Sequence, residues 1–370
     1  MAIDQQASKT NGSPHAVSRI DRYFKLTERK STYGREVRGG FATFFAMVYI
    51  VVLNPLILSG PDGSGNTLGI PQVAAMTAVT AGVMTILMGF VARYPFALSA
   101  GLGVSGFVSA TIATTKGLTW PDVMGLIVIS GVVMFILVLL GFREAVFRAV
   151  PSGLKIAIVA GIGLFIATIG FVNAGFVRRV PDAAHTSVPV SLGNGGILLG
   201  WPMLVFVVGL AVMIVLIVRK VRGGILIGII GTTIFAMIIQ LFTNTPASMG
   251  TNPLGWSLTV PVLPTNFVSF PDLSLFGKVD LIGGFAHIGA ISATLLTFTI
   301  LLTVFFDAMG TMTGLAKQGG LLDKDNNFVD ANPVLLIDAA ASGIGGLASV
   351  SSGEIFVESA AGVGEGARTG

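Results

Sequence analysis

The sequence predicts an all-α polytopic membrane protein, and three observations carry that prediction. Over half of the 370 residues are hydrophobic (53%) and only 11% are charged, where a soluble domain draws about a quarter of its residues from Asp, Glu, Lys and Arg. Long apolar runs recur from residue 37 onward, with polar loops between them. The 22 Lys and Arg residues, behind a formal charge of +4, are dispersed through those loops and form no single patch. A soluble fold of this length could not hide so much apolar surface and still present a charged exterior. In a bilayer, by contrast, a helix of about 20 apolar residues satisfies its own backbone. Gly is abundant (49), as expected where helices pack closely or break. Cys is absent, which excludes disulfides and thiolate metal sites.

Taken in order, residues 1–36 form a polar, basic N-terminal arm. It lacks a short apolar core with a small-residue cleavage site, so no removable signal peptide is expected. Complete membrane segments follow at about Val37–Leu58, Gln72–Val91, Val123–Leu140, Leu154–Val172, Ile197–Val218, Ile225–Phe242, Ile291–Leu315 and Pro333–Ala348. Two further segments, the third (Ala97–Thr114) and the tenth (Ile355–Gly366), are short and broken by Gly. Asn54-Pro55 reads as the stop signal of the first helix. The longest external connections are Asn173–Gly196 and Thr243–Asp280, and Leu273–Ile288 mixes apolar and polar residues as a surface amphipathic helix would. The chain divides accordingly into the arm, a first repeat of seven segments over 37–242, an external loop over 243–290, and three segments of a second repeat over 291–370.

Lys and Arg concentrate in cytoplasmic loops. Ten segments with a cytoplasmic N-terminus leave only Lys116, Arg178, Arg179 and Lys278 outside and the other 18 of the 22 basic residues inside. The basic arm is thereby a topology signal near anionic lipid, and no nucleic-acid partner is needed to explain it.

Three carboxylates fall within apolar segments: Asp307, Asp338 and Glu358. A charged side chain at mid-bilayer costs a few kcal/mol even on the gentler scales, and such residues face a cavity or a partner. Asp307 lies deep in a long apolar helix with no Lys or Arg within a turn or two, which makes it a candidate proton carrier; the plainer reading is a protonated carboxyl bonded to a neighbouring helix. Glu358 follows the β-favouring run Ile355-Phe356-Val357 and precedes small residues, so a short extended piece should lead into a half-helix. There it would serve as a site residue, as an N-cap, or as both. Asp338 is expected to orient its neighbours or to support the site. Glu354 is expected at the exposed outer mouth of the tenth segment. His287 reads as structural, and His15 and His185 lie in loops.

The third segment repeats the pattern, with Tyr94-Pro95-Phe96-Ala97-Leu98-Ser99-Ala100 leading into Gly-rich Gly101-Leu102-Gly103-Val104-Ser105-Gly106. Paired Gly-interrupted segments in corresponding places of two halves point to the midplane site of a transporter. With seven segments per repeat, both are third in their repeat, and an odd count inverts the second copy.

Phe305-Phe306-Asp307-Ala308-Met309-Gly310-Thr311, the run from Val357-Glu358-Ser359-Ala360-Ala361-Gly362 to Gly370, and the opening helix with Val48-Tyr49-Ile50 and Asn54-Pro55 resemble the AzgA-like purine permeases of the nucleobase–cation symporter-2, or xanthine/uracil permease, family. The resemblance runs from about Phe24 to the last residue. It implies fourteen segments in two inverted repeats of seven, a core domain moving against a gate domain, and proton-coupled uptake of adenine, guanine or hypoxanthine at the plasma membrane. On that pattern the 370-residue chain is expected to be truncated at its C-terminus, after ten segments. Asp307 and Glu358 match the family's two intramembrane acidic positions, and Gly103 and Ser105 match the glycine and polar position of the third segment. Where the family usually has Asn this chain has Ser105, and where it often has a Thr-Thr-Tyr-like run this chain reads Glu354-Ile355-Phe356.

The expected substrate site is therefore Glu358, Asp307, Gly103, Ser105, Phe356 and Val357, supported by Asp338 and Ser359. Glu358 would hold the polar edge of a purine, Asp307 and Glu358 would handle the coupling ion, and Phe96, Phe107 or Phe356 would stack on the ring. No cofactor or metal is expected beyond a coupling proton. The partners are a purine nucleobase and the lipid bilayer, with a homodimer as one open assembly. Uracil, xanthine or a small anion are the alternative cargoes, although paired acids argue against an anion. A channel should line a pore with polar rings, and a membrane enzyme needs a nucleophile–base pair or metal ligands that this sequence does not offer.

Overall fold

The apolar runs become helices whose first residues explain where they begin. Pro71, Pro121 and Pro202 stand in the first turns of three of them, where a missing N–H costs nothing. Thr119 and Asp122 close a reciprocal capping box at the second of these starts. A computed structural model describes residues 18–142, 196–219, 224–248, 270–322 and 331–370, together with Phe328, position 221 and parts of the stretches 153–193 and 252–263.

Among the described residues the order is α1 (Arg19–Phe24), α2 (Tyr33–Met47), α3 (Ile50–Ile57), α4 (Ile70–Leu87) ending in a π turn at Met88–Ala92, β1 (Leu98–Ala100), α5 (Leu102–Thr114) and α6 (Trp120–Leu139). The strands β2 (Val177–Arg179) and β3 (Val190–Leu192) come next, then α7 (Trp201–Val218), α8 (Gly224–Thr243), α9 (Gly283–Ile288), α10 (Ala290–Gly319), α11 (Ala331–Leu347), β4 (Gly353–Ile355) and α12 (Ser359–Gly364). Five of these stretches are long and apolar enough to cross a membrane: Tyr33–Ile57, Ile70–Ala92, Trp120–Leu139, Trp201–Val218 and Ala290–Gly319. Shorter apolar helices lie at Leu102–Ile112, Ile227–Thr243 and Ala331–Leu347. Each falls on a segment expected from the sequence. The expected fifth segment, 154–172, lies largely outside the described residues.

Three expectations change. Asn54-Pro55 does not end the first helix: Pro55 is inside α3, and Asn54 is wholly buried at an interhelical junction. Leu273–Ile288 is not one amphipathic helix; it is a turn followed by the six-residue α9. That helix is held where the His287 ring nitrogen Nδ1 meets Asp122 Oδ2 at 2.8 Å, a structural role as expected for His287. Within the connection over 173–196, β2 and β3 pair antiparallel.

The centre of the molecule is the crossing of α6 and α11. A side chain at Gly131 would come within 2.5 Å of Gly343 Cα, and one at Gly346 within 2.9 Å of the Met124 carbonyl oxygen. Small residues let the two backbones touch, which is how helices associate where water supplies no driving force. Around this crossing, Met84, Met88, Met134, Met309 and Met312 fill the space between α4, α6, α10 and α11. Outward faces such as Val207, Val212, Ile214 and Ile217 on α7 stay exposed and apolar, as a lipid-facing surface requires.

At one end, the residues assigned to the inside come together. An Arg29 Nη1 donates to the carbonyls of Arg93 (2.5 Å) and Arg368 (3.0 Å), and the Arg29 guanidinium lies 4.3 Å over the Tyr94 ring. Glu36 accepts from the Arg368 N–H at 2.9 Å.

The turn from α11 to β4 is strained. Ser349 and Ser351 both adopt left-handed backbone conformations (φ 55° and 78°), and the buried Ser351 hydroxyl has no hydrogen-bond partner. A side chain in that region costs ~1–2 kcal/mol that glycine avoids. Ser351→Gly is therefore expected to stabilise the protein by about 1 kcal/mol, read as a higher unfolding midpoint in detergent. A lower midpoint would show that the serine side chain holds the turn.

Candidate functional site

Two interrupted segments meet at the middle of the fold. In each, a three-residue strand leads into a helix: β1 into α5, and β4 toward α12. The strands pair antiparallel in the register Leu98↔Ile355, Ser99↔Glu354 and Ala100↔Gly353. The pairing continues through Phe356 N–H to Ala97 O (2.8 Å) and Gly101 N–H to Ser352 O (2.7 Å).

A two-stranded ribbon leaves an outer row of backbone groups on each strand, and within an apolar layer each needs a protein partner. Leu98 N–H donates to Thr85 Oγ1 (3.0 Å), Ile355 N–H to Asp338 Oδ1 (3.1 Å), and Ala97 N–H to Ser359 Oγ (3.0 Å). Asp338 is fully buried on α11 and lies behind the ribbon, outside the cavity wall. Ser359 likewise braces β1 from behind.

A cavity of about 360 Å³ opens in front of the ribbon, within the ~300–1,000 Å³ range of small-molecule sites. Its wall is built from Gly101, Leu102 and Gly103 at the start of α5, from Thr303, Phe306, Asp307 and Thr311 on α10, and from the run Glu354 to Glu358. Of the residues expected from the sequence, Gly103, Asp307, Phe356, Val357 and Glu358 stand together here. A side chain built at Gly103 would meet nothing, so this turn of α5 presents bare backbone to the space.

Ser105 is not in the cavity. It is fully buried on the other side of α5, where its hydroxyl donates to Asn54 Oδ1 at 2.8 Å. Asn54 in turn donates to Thr77 Oγ1 and to the Val350 carbonyl, both at 3.0 Å. Helical periodicity accounts for the displacement, since Gly103 and Ser105 are two residues apart and two residues on a helix face different ways. Phe96 and Phe107 are also outside the wall. Phe96 is packed between Tyr94 and Phe328 (ring centroids 5.4 and 6.1 Å away), and Phe107 packs beside α3, α5 and α6. The aromatic faces of the cavity belong to Phe356 and Phe306.

Glu358 is half-buried, and its Oε1 accepts from the Tyr49 hydroxyl at 2.5 Å. It directly precedes α12, but its carboxyl makes no cap hydrogen bond to that helix. The N-cap alternative gives way to a carboxyl held by Tyr49, at the junction of α2 and α3. Asp307 is also half-buried and accepts from Thr311 Oγ1, one turn along α10, at 3.3 Å. It lines the same cavity as Glu354 and Glu358.

Glu354 departs furthest from expectation. It is 1% exposed, not at an outer mouth. Pairing of β4 with β1 draws it into the centre opposite Ser99. Gly101 makes room for it, because a side chain at that position would collide with the Glu354 carboxyl. Thr303 and Phe306 in the wall, and Tyr49 as the partner of Glu358, are further site residues that sequence reasoning misses. A tyrosine hydroxyl inside the first apolar run is the available signal for Tyr49.

The described wall carries three carboxyls and no Lys, Arg or His. Such a wall disfavours anions and suits a flat molecule rich in N–H donors, gripped at its edge by carboxylate and at its face by phenyl rings. Among the described residues no cluster of three or more ligating side chains is placed to hold a metal.

Residues 34–368 match the model of the permease family Xan_ur_permease. The guanine/hypoxanthine permease PbuO of Bacillus subtilis is 34% identical over 354 residues, covering 94% of this chain and 73% of that protein. The guanine/hypoxanthine permease GhxP of Escherichia coli is 31% identical over 368 residues, covering 98% of this chain and 74% of that protein. The adenine permease AdeP of Escherichia coli is 31% identical over 370 residues, with 99% and 74% covered.

Proposed function

This chain belongs to the xanthine/uracil permease family, and on that footing we propose that it carries purine nucleobases across the cell membrane, driven by a proton gradient. It is a membrane-embedded transporter and not an enzyme. The observation that carries the purine reading is the pairing of Glu358, fixed by Tyr49, with a wall of bare α5 backbone and two phenyl rings. A carboxylate accepts two N–H groups side by side, as guanine presents its N1–H and amino group, and Phe306 or Phe356 covers the ring. The relatives named for guanine, hypoxanthine and adenine support the same substrate class.

The rest of the reading is ours. Gly103, Phe356 and Val357 shape the purine site, Asp307 contacts the substrate or carries the coupling proton, and no cofactor takes part. The ribbon joining the third and tenth segments supports fourteen segments in two inverted repeats. The gathering of Arg29, Arg93 and Arg368 at one end supports a cytoplasmic N-terminus in the plasma membrane. Ser105 is withdrawn from the substrate site and acts through Asn54.

Uptake of labelled hypoxanthine by purine-uptake-deficient cells expressing the protein tests the proposal, with guanine, adenine, uracil and xanthine as competitors and a protonophore as control. Purines should compete and the protonophore should abolish uptake. Competition by uracil alone, or uptake indifferent to the protonophore, would overturn it. Tyr49→Phe removes one hydrogen bond to the carboxylate, worth ~1.5 kcal/mol, so KM for the purine should rise about tenfold with little change in maximal rate. An unchanged KM would dissociate Tyr49 from binding.

A further inference from the structure

Glu354 is a wall carboxyl to which the purine reading assigns no contact. Both its oxygens are buried without a formed hydrogen bond, and the hydroxyl of Ser99, its register partner in β1, is buried and unpartnered as well. Asp307 and Ser352 also neighbour Glu354, neither seated as a well-directed hydrogen bond. Ser352 donates its proton to Ser342 Oγ at 2.9 Å. From the elements packed against β4, the titratable groups facing Glu354 are Asp307 on α10 and Asp338 on α11. Asp338 already holds the Ile355 N–H through Oδ1. β1 and α5 contain no titratable residue, and Glu358 is bonded to Tyr49.

We propose that Glu354 and Asp307 share the coupling proton of this permease, leaving Glu358 to the substrate; this rests on the nucleobase reading above. Two neighbouring carboxylates in a weakly polarisable layer, with no facing cation among the described residues, cannot both stay ionised. One proton from the external water forms an O–H bond on one carboxyl and is shared with the other. On the cytoplasmic side that bond breaks and the proton returns to water. The two partners sit on different elements, the continuous helix α10 and the strand β4. Both carboxyls line the cavity that also holds Glu358, so the arrival and departure of the purine cover and uncover the shared position, which ties proton occupancy to the transport step. A metal ion is the weaker occupant, since the described residues include no group of three or more ligating side chains placed around one point.

The test uses the protein in proteoliposomes with hypoxanthine as probe. At one proton per substrate, a tenfold inward proton gradient should drive about tenfold accumulation in the wild type. Glu354→Gln should abolish that accumulation, and whatever exchange of labelled for unlabelled hypoxanthine it retains in the absence of a gradient should no longer vary with pH. Asp307→Asn should lose accumulation too, and the double variant should lose no more coupling than either single one, because the pair acts as a unit. Glu354→Asp, which keeps the carboxyl, should retain accumulation with a displaced pH profile. That variant decides the matter if the glutamine variant does not fold, since an unchanged profile would overturn the proposal. Accumulation by Glu354→Gln equal to wild type, or wild-type accumulation that follows a sodium gradient and ignores the proton gradient, would also overturn it. A wild-type protein that neither exchanges nor accumulates hypoxanthine sinks the nucleobase reading itself, a result distinct from failure at Glu354 alone.

Discussion

Glu358→Gln is expected to lower the transport efficiency for guanine about 100-fold. The substitution keeps the size and shape of the side chain, and an amide oxygen still accepts from the Tyr49 hydroxyl that lies 2.5 Å from the carboxylate. What changes is the charge and one acceptor position. A hydrogen bond to a charged group contributes ~1.5–3 kcal/mol, and each ~1.4 kcal/mol is a factor of ten, so removing one or two charge-assisted hydrogen bonds to the purine amounts to about two decades. The amide also turns an N–H toward the substrate's own donors, which adds repulsion to the loss. Efficiency should be measured as initial uptake at low guanine concentration, with surface expression and unfolding midpoint held as controls. Uptake within about twofold of wild type, at equal expression, would remove Glu358 from the purine site. Hypoxanthine, which lacks guanine's amino group, should lose less than guanine, and an equal loss would mean that Glu358 does not grip that edge.

Much of the site's chemistry was legible in the sequence because charge in an apolar run is costly enough to demand a reason. Asp307, Asp338 and Glu358 stood out on that ground, and the extended starts of the third and tenth segments stood out through β-favouring residues followed by glycines. Their pairing into one ribbon could not be read, because it joins residues more than 250 positions apart and three-residue strands leave almost no alternation to follow. Glu354 was misplaced for the same reason. In isolation it sits between a glycine and an apolar run and looks like a segment boundary; only its register against Ser99 and the space over Gly101 bury it. Asn54 was misjudged because proline usually ends a helix. Here Pro55 is the sixth residue of α3, where its missing N–H deprives only the Val51 carbonyl of a helical donor, and the helix runs on to Ile57.

Asn54→Leu is expected to destabilise the protein by about 3 kcal/mol and to lower transport with it. Interhelical hydrogen bonds in membranes are individually modest, averaging ~0.6 kcal/mol and reaching ~1.7 kcal/mol, so a single lost bond would barely register. Asn54 is different because one side chain closes three. Its amide nitrogen donates to Thr77 Oγ1 on α4 and to the Val350 carbonyl in the turn before β4, and its oxygen accepts from Ser105 on α5. Leucine removes all three at once, and the Val350 carbonyl is left buried without that donor. The variants that remove one bond each, Thr77→Val and Ser105→Ala, should each cost less than half as much, and their sum should fall short of the asparagine variant. Unfolding midpoints in detergent decide this, with Asn54→Leu no less stable than Ser105→Ala as the result that would refute it. The functional consequence follows from where the bonds lead. Val350 is three residues from β4, and β4 carries Glu354 and leads directly into Glu358. Loosening the junction therefore frees the strand that positions both carboxyls, and purine affinity should fall in step with stability although Asn54 touches neither the cavity nor the substrate.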